Sequence, residues 1–118
     1  MIKFVMPLRR RPGLSTEEFR TYYETHHRLI GEKYLKGFAV KYQRRYLNPL
    51  PDREGKLEDP DYDVLLEIWY PDEETQLACG AYLSTPAIRA EIVADEEKLF
   101  DRSHMRGYTI DESTSVLP

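Results

Sequence analysis

Residues 62–70 read YDVLLEIWY, and within them Val64, Leu66 and Ile68 alternate with Leu65, Glu67 and Trp69. A period of two sends successive side chains to opposite faces of a strand, and here both faces carry bulk, so the strand is internal to a sheet covered on both sides. Pro71 and Asp72 stop it. Before it, residues 48–61 read NPLPDREGKLEDPD, with three prolines, a glycine and a crowd of charges. No core can be made from such a stretch, which is a solvated loop by composition.

Further toward the N-terminus, FAVKYQRRYL (38–47) alternates as a second strand, with Phe38, Val40, Tyr42, Arg44 and Tyr46 on one side. It is preceded by STEEFRTYYETHHRLI (15–30), where Ser15 and Glu18 form a capping box and apolar positions follow helical spacing from Phe19 to about Tyr34. Lys36 and Gly37 supply a cationic last turn and a terminator. The chain opens on β-formers from Ile2 to Leu8, followed by the loop RRRPGL.

Toward the C-terminus, Asp72 is an N-cap with Glu73 and Glu74 in the favourable first turn. This helix is expected to break at Gly80 and again at Ser84-Thr85-Pro86, where Thr85 caps a new segment. In that segment Ile88, Ile92 and Leu99 form an apolar stripe, and Asp95 falls in phase with it. An acid there implies either a helix already frayed, which is the leading expectation, or a carboxylate facing a pocket or a hydrogen-bonding partner. His104 to Ile110 alternate as a fourth strand, and residues 112–118 are a tail with little to pack. The order is βαββαβ, the ferredoxin-like α+β sandwich. Two helices cover one sheet face, and a symmetric homodimer is the simplest cover for the other.

The 118 residues suit one domain spanning 1–118, and 41% hydrophobic with 32% charged residues is a globular composition. A net charge of -4 argues against a nucleic-acid partner. The N-terminal apolar run is far too short for a secretion signal or a membrane span, and the single cysteine, Cys79, excludes an intrachain disulfide. A reducing cytoplasm is the default location. No metal-ligand spacing and no glycine-rich phosphate cradle occurs, so neither metal nor nucleotide cofactor is expected.

Two of the three histidines, His26 and His27, lie on the first helix, and imidazole is the side chain best suited to proton exchange near neutral pH. With Phe19 at zero and about 100° per residue, Tyr23 falls near 40°, His26 near -20° and His27 near 80°. Helical spacing thus centres His26 on the apolar face and leaves His27 at its edge. Each has an aromatic partner one turn earlier, Tyr22 for His26 and Tyr23 for His27. A second cluster, Asp95, Glu96, Asp101, Arg102 and His104, closes the second helical region. Asp101 stands where helix gives way to strand, a position from which a carboxylate can orient an imidazole and stabilise its charged form.

Taken together, KFVMPLRRRPGLSTEEFRTYYETHH (3–27), KYQRRYLNP (41–49), YDVLLEIWYPDEE (62–74) and DEEKLFDRSHMRGYTIDE (95–112) resemble an EthD-domain protein of the dimeric α/β-barrel superfamily. The most specific parts are Phe19, Tyr22 and Tyr23 followed by His27, and the group Asp95, Glu96, Asp101 and Arg102. The resemblance implies that two protomers join their sheets into a barrel, with a cleft between sheet and helices in each. It selects His27 over His26, against the wheel. Leu29 stands where relatives carry a proline, so the helix should run on further here.

The activity implied is that of a cofactor-independent lyase, of dehydratase or cyclase type, acting on an aromatic or polyketide-like small molecule. In this expectation His27 exchanges a proton and Asp101 assists it. Tyr22, Tyr23, His26, Tyr42, Arg44 and His104 bind or polarise substrate. A monooxygenase or isomerase of the same superfamily, or a non-catalytic small-molecule-binding accessory protein, are the alternatives.

Overall fold

The computed structural model describes all 118 residues. Strand β1, Ile2–Leu8, lies in the middle of a four-stranded antiparallel sheet with β2, Lys41–Tyr46, β3, Val64–Tyr70, and β4, Tyr108–Thr109, in the order β2-β3-β1-β4. Between β1 and β2 run α1, Thr16–Tyr22, a π-helical turn, Tyr23–His27, and α2, Arg28–Leu35; between β3 and β4 run α3, Glu73–Leu83, and α4, Pro86–Leu99. This is the ferredoxin-like α+β arrangement. No helix is long and apolar enough to cross a membrane.

Local chemistry sets most of the boundaries. Ser15 and Glu18 close the expected capping box on α1, and Asp72 accepts from Thr75 N at the start of α3. Gly37, at φ 87°, ends α2, and Phe38 N and Ala39 N fold back onto Leu35 O. That turn consumes the first residues expected in β2, which is therefore shorter than its sequence pattern. Strand β4 is shorter too, because Asp101 caps a 3₁₀ turn at Arg102–His104, and the chain rejoins the sheet only at Tyr108. Gly80 does not interrupt α3, whose break comes only at Ser84 and Thr85 before Pro86. Helix α4 does not fray before Asp95 but stays helical through Leu99.

Register divides the sheet into two faces. Phe4, Met6 and Leu8 of β1 stand beside Ile68, Leu66 and Val64 of β3, and these beside Tyr42, Arg44 and Tyr46 of β2. This face meets the helices. Leu8, Val64, Phe19, Tyr23, Leu99 and Phe100 form one buried cluster, and Leu35, Ile68, Tyr70 and Cys79 form another. The opposite face carries Lys3, Val5, Pro7, Lys41, Gln43, Arg45, Leu65, Glu67 and Trp69, and no element of the chain packs across it.

Candidate active site

The site begins with a break in helical phase. At the π turn the Arg28 amide bonds back to Tyr23 O, so the chain needs one more residue to complete that turn. Thr25 Oγ1 donates to Thr21 O at 2.7 Å, a side-chain bond that competes with the regular ladder here. The result is that Phe19, Tyr23 and His27 are all buried on one line, while His26 is exposed. His27 occupies the place that regular spacing assigns to His26. Helix α2 continues past Leu29 to Leu35.

His27 is 8% exposed, and its Nδ1 lies 2.7 Å from Oδ2 of Asp95, itself 8% exposed. Asp95 Oδ1 accepts from the Tyr22 hydroxyl at 2.5 Å. Each carboxylate oxygen therefore has its own partner, and the aspartate is fixed in position between α1 and the π turn. Its bond to Nδ1 leaves Nε2 as the free nitrogen of the imidazole. That atom has no protein partner and is not sealed from solvent. Burial, with the bond to Asp95, pushes the Tyr22 phenol up to about 12, so it remains a donor across the physiological range. The Tyr23 and Phe100 rings meet His27 edge-on at 5.2 and 5.3 Å and hold its plane.

Beside His27 opens a cavity of about 120 Å³, walled by apolar side chains such as Ile30, Leu66 and Ile92, with Tyr23, Tyr42 and Glu96 among its few polar groups. An engineered apolar cavity of about 150 Å³ accepts benzene, so this space suits one six-membered ring. Burial raises the Tyr23 phenol well above its ordinary value and Tyr42 in the same direction, and their hydroxyls stand 3.5 Å apart. Gly31 lets Tyr42 approach α2: a Cβ there would stand 2.6 Å from the Tyr42 hydroxyl.

Several residues expected at the site are placed elsewhere. Asp101 makes no contact with His27, because its carboxylate accepts from Ser103 N and Ser103 Oγ and so serves as the cap of the 3₁₀ turn. Asp95, from the preceding helix, holds the imidazole instead. Arg44 does face the helices, but Glu24 takes its Nε and Nη2 at 3.0 and 2.8 Å, with Tyr46 also donating to that carboxylate. With Nη1 also 3.4 Å from Tyr42 O, the guanidinium is engaged by the chain and does not line the cavity. His26 stacks on Tyr22 at 4.6 Å outside the cavity, and His104 is exposed, 4.0 Å from Asp101. Tyr22 reaches the site only through Asp95, whereas Tyr23 and Tyr42 line the cavity. The role of Asp95 had a signal in the sequence, its phase on an apolar stripe. No three or more His, Cys, Asp or Glu side chains gather as a metal centre requires.

The EthD domain family matches residues 11–103. The chain belongs to this family. Solved structures agree on the fold of this EthD-domain protein. An ethyl tert-butyl ether d (EthD) family protein from Bacillus halodurans is 15% identical, with a TM-score of 0.63 over 96% of this chain and 100% of that one. HapK from Hahella chejuensis is 10% identical, with a TM-score of 0.64 over 100% of this chain and 98% of its own. An antibiotic biosynthesis monooxygenase is 12% identical, with a TM-score of 0.55 over 97% of this chain and 100% of that one. At such identities the likeness is one of fold. Among curated proteins, none matches the sequence.

Proposed function

We propose that this EthD-domain protein is a cofactor-independent lyase of dehydratase or cyclase type, acting on a small aromatic or polyketide-like molecule by acid/base catalysis at His27. The observation that supports this most directly is an imidazole whose Nδ1 is held by a buried carboxylate while Nε2 remains unpartnered beside an apolar, ring-sized cavity. A carboxylate at Nδ1 stabilises the imidazolium that forms when Nε2 takes a proton, and it fixes the ring's direction. Asp95 is in this reading a positioning residue, and Tyr22 positions Asp95. Tyr23 and Tyr42 supply hydroxyls to ligand oxygens.

The test is to incubate the protein with a panel of cyclic β-hydroxy ketones and follow the ultraviolet absorbance of the conjugated double bond that dehydration creates. Turnover that is lost in His27→Ala and kept in His26→Ala supports the reading. Turnover unchanged in His27→Ala overturns it. The superfamily alternatives of a monooxygenase or isomerase would show as oxygen uptake, or as rearrangement without loss of water. Saturable binding with no conversion would mark a ligand-binding accessory protein. We also infer that a second copy covers the open sheet face, completing the dimeric α/β barrel.

A further inference from the structure

His27 shares the cavity wall with a second titratable group. Glu96 follows Asp95 on α4, and neighbouring helical residues point about 100° apart. The two carboxylates are consequently in different situations: Asp95 is held by short bonds from Tyr22 and His27, whereas Glu96 lines the cavity and is engaged only by the longer contact to Arg102. Its nearest cation, Arg102 Nε, stands 3.5 Å from Oε1, and the Glu96 side chain is only 14% exposed. The charged groups acting on it are Arg102 on the 3₁₀ turn, His27 on the π turn and Arg89 on its own helix. The facing wall offers only hydrocarbon and the rings of Tyr23, Tyr34 and Tyr42. Burial outweighs those cations and raises the Glu96 carboxyl above the ordinary glutamate value.

We propose that Glu96 is the proton-donating partner of His27, so that the cavity presents an acid and a base together to a neutral, one-ring β-hydroxy carbonyl compound. The proposal rests on the acid/base reading of this site and adds a residue and a ligand class to it. Dehydration needs proton transfer at two atoms of the substrate, and a single imidazole fixed by Asp95 serves one of them. His27 Nε2 takes the proton from the carbon next to the carbonyl, and that C–H electron pair becomes the new C=C bond. The C–O bond to the β-hydroxyl breaks as Glu96 protonates the departing oxygen, and water leaves. The imidazolium then returns its proton to the Glu96 carboxylate through solvent, restoring both groups. A neutral ligand fits because a carboxylate on the substrate would be taken from water into a cavity walled mainly by apolar side chains.

The first experiment needs no substrate. With carboxyl-labelled glutamate in the whole protein, Glu96 is assigned by its loss in Glu96→Gln and titrated by NMR. Its midpoint should lie above the ordinary 4.5 and rise further in His27→Gln, because His27 acts to lower it. A midpoint at or below 4.5, or one indifferent to His27→Gln, overturns the proposal. The second experiment uses whichever β-hydroxy ketone the protein converts. Glu96→Gln should lower kcat by about 10²-fold and remove the alkaline limb of the kcat/KM profile, with Glu96→Asp restoring part of both. If His27→Ala abolishes turnover while Glu96→Gln leaves rate and profile unchanged, the role of Glu96 falls and that of His27 stands. If His27→Ala has no effect, the acid/base reading of the site fails first.

Discussion

Asp95 is the residue on which the geometry of the site turns, since Tyr22 and His27 approach it from the same stretch of chain and share its two oxygens. Asp95→Asn keeps the shape but removes the charge that stabilises an imidazolium, and should lower turnover by about 10²-fold without unfolding the protein. Asp95→Ala leaves a buried imidazole and a half-buried phenol without their partner and should cost about 2 kcal/mol in urea unfolding. Tyr22 gives the site a pH signature. Its phenol, raised from 10.0 to about 12, keeps its proton in the folded state after the unfolded chain has lost it. The stability it contributes is therefore complete below pH 10.0 and disappears as pH rises to about 12. Tyr23 and Tyr42, also raised, act in the same direction. Unfolding measured across that window should show a steep fall in the parent protein and a shallower one in Tyr22→Phe.

At the scale of elements, the π turn is what brings the proper imidazole to the cavity. Because it adds one residue to the helix, deleting exposed Thr25 should convert it to regular α-helix and leave His27 where it is. The expected outcome is a folded protein, changed in stability by about 1 kcal/mol, with an unaltered Asp95–His27 contact in a crystal structure. The packing of α2 on β2 makes the opposite prediction. Gly31→Ala would place a methyl 2.6 Å from the Tyr42 hydroxyl and 2.7 Å from Cζ of that ring, so Tyr42 must move. A cost of about 1–3 kcal/mol in thermal or urea unfolding should accompany weaker ligand binding, because Tyr42 is part of the cavity wall.

The molecule as a whole is a two-layer slab with one sheet face left open. On that face Trp69 lies between Lys3 and Lys41, 4.3 and 4.2 Å from its ring, and Glu67 is buried against Arg45 and the Trp69 Nε1–H. Val5, Pro7 and Leu65 give the same face an apolar middle. A second copy covering it by two-fold symmetry would bury this patch. Light scattering should then report a dimer, and Leu65→Glu, by placing a charge within the covered patch, should give monomers. Trp69 is the only tryptophan, so its emission should shift to longer wavelength on dissociation.

Element types and order were legible in the residues themselves, because a period of two, helical spacing, capping boxes and proline stops all act through the backbone within a few residues. The ferredoxin-like arrangement follows from that order, and even Asp95 announced itself by an acid's place in an apolar stripe. What sits beside His27 was decided by tertiary structure. His27 and Asp95 are 68 residues apart in the chain, and Arg44 meets Glu24 across 20. No local pattern encodes either pairing. The wheel named His26 because it assumes an unbroken α-helix, whereas packing accommodates a π turn that shifts the phase by one residue. Asp101 and Asp95 are chemically alike in the sequence, but one faces its own turn and the other a neighbouring helix. That difference arises only when the layers close.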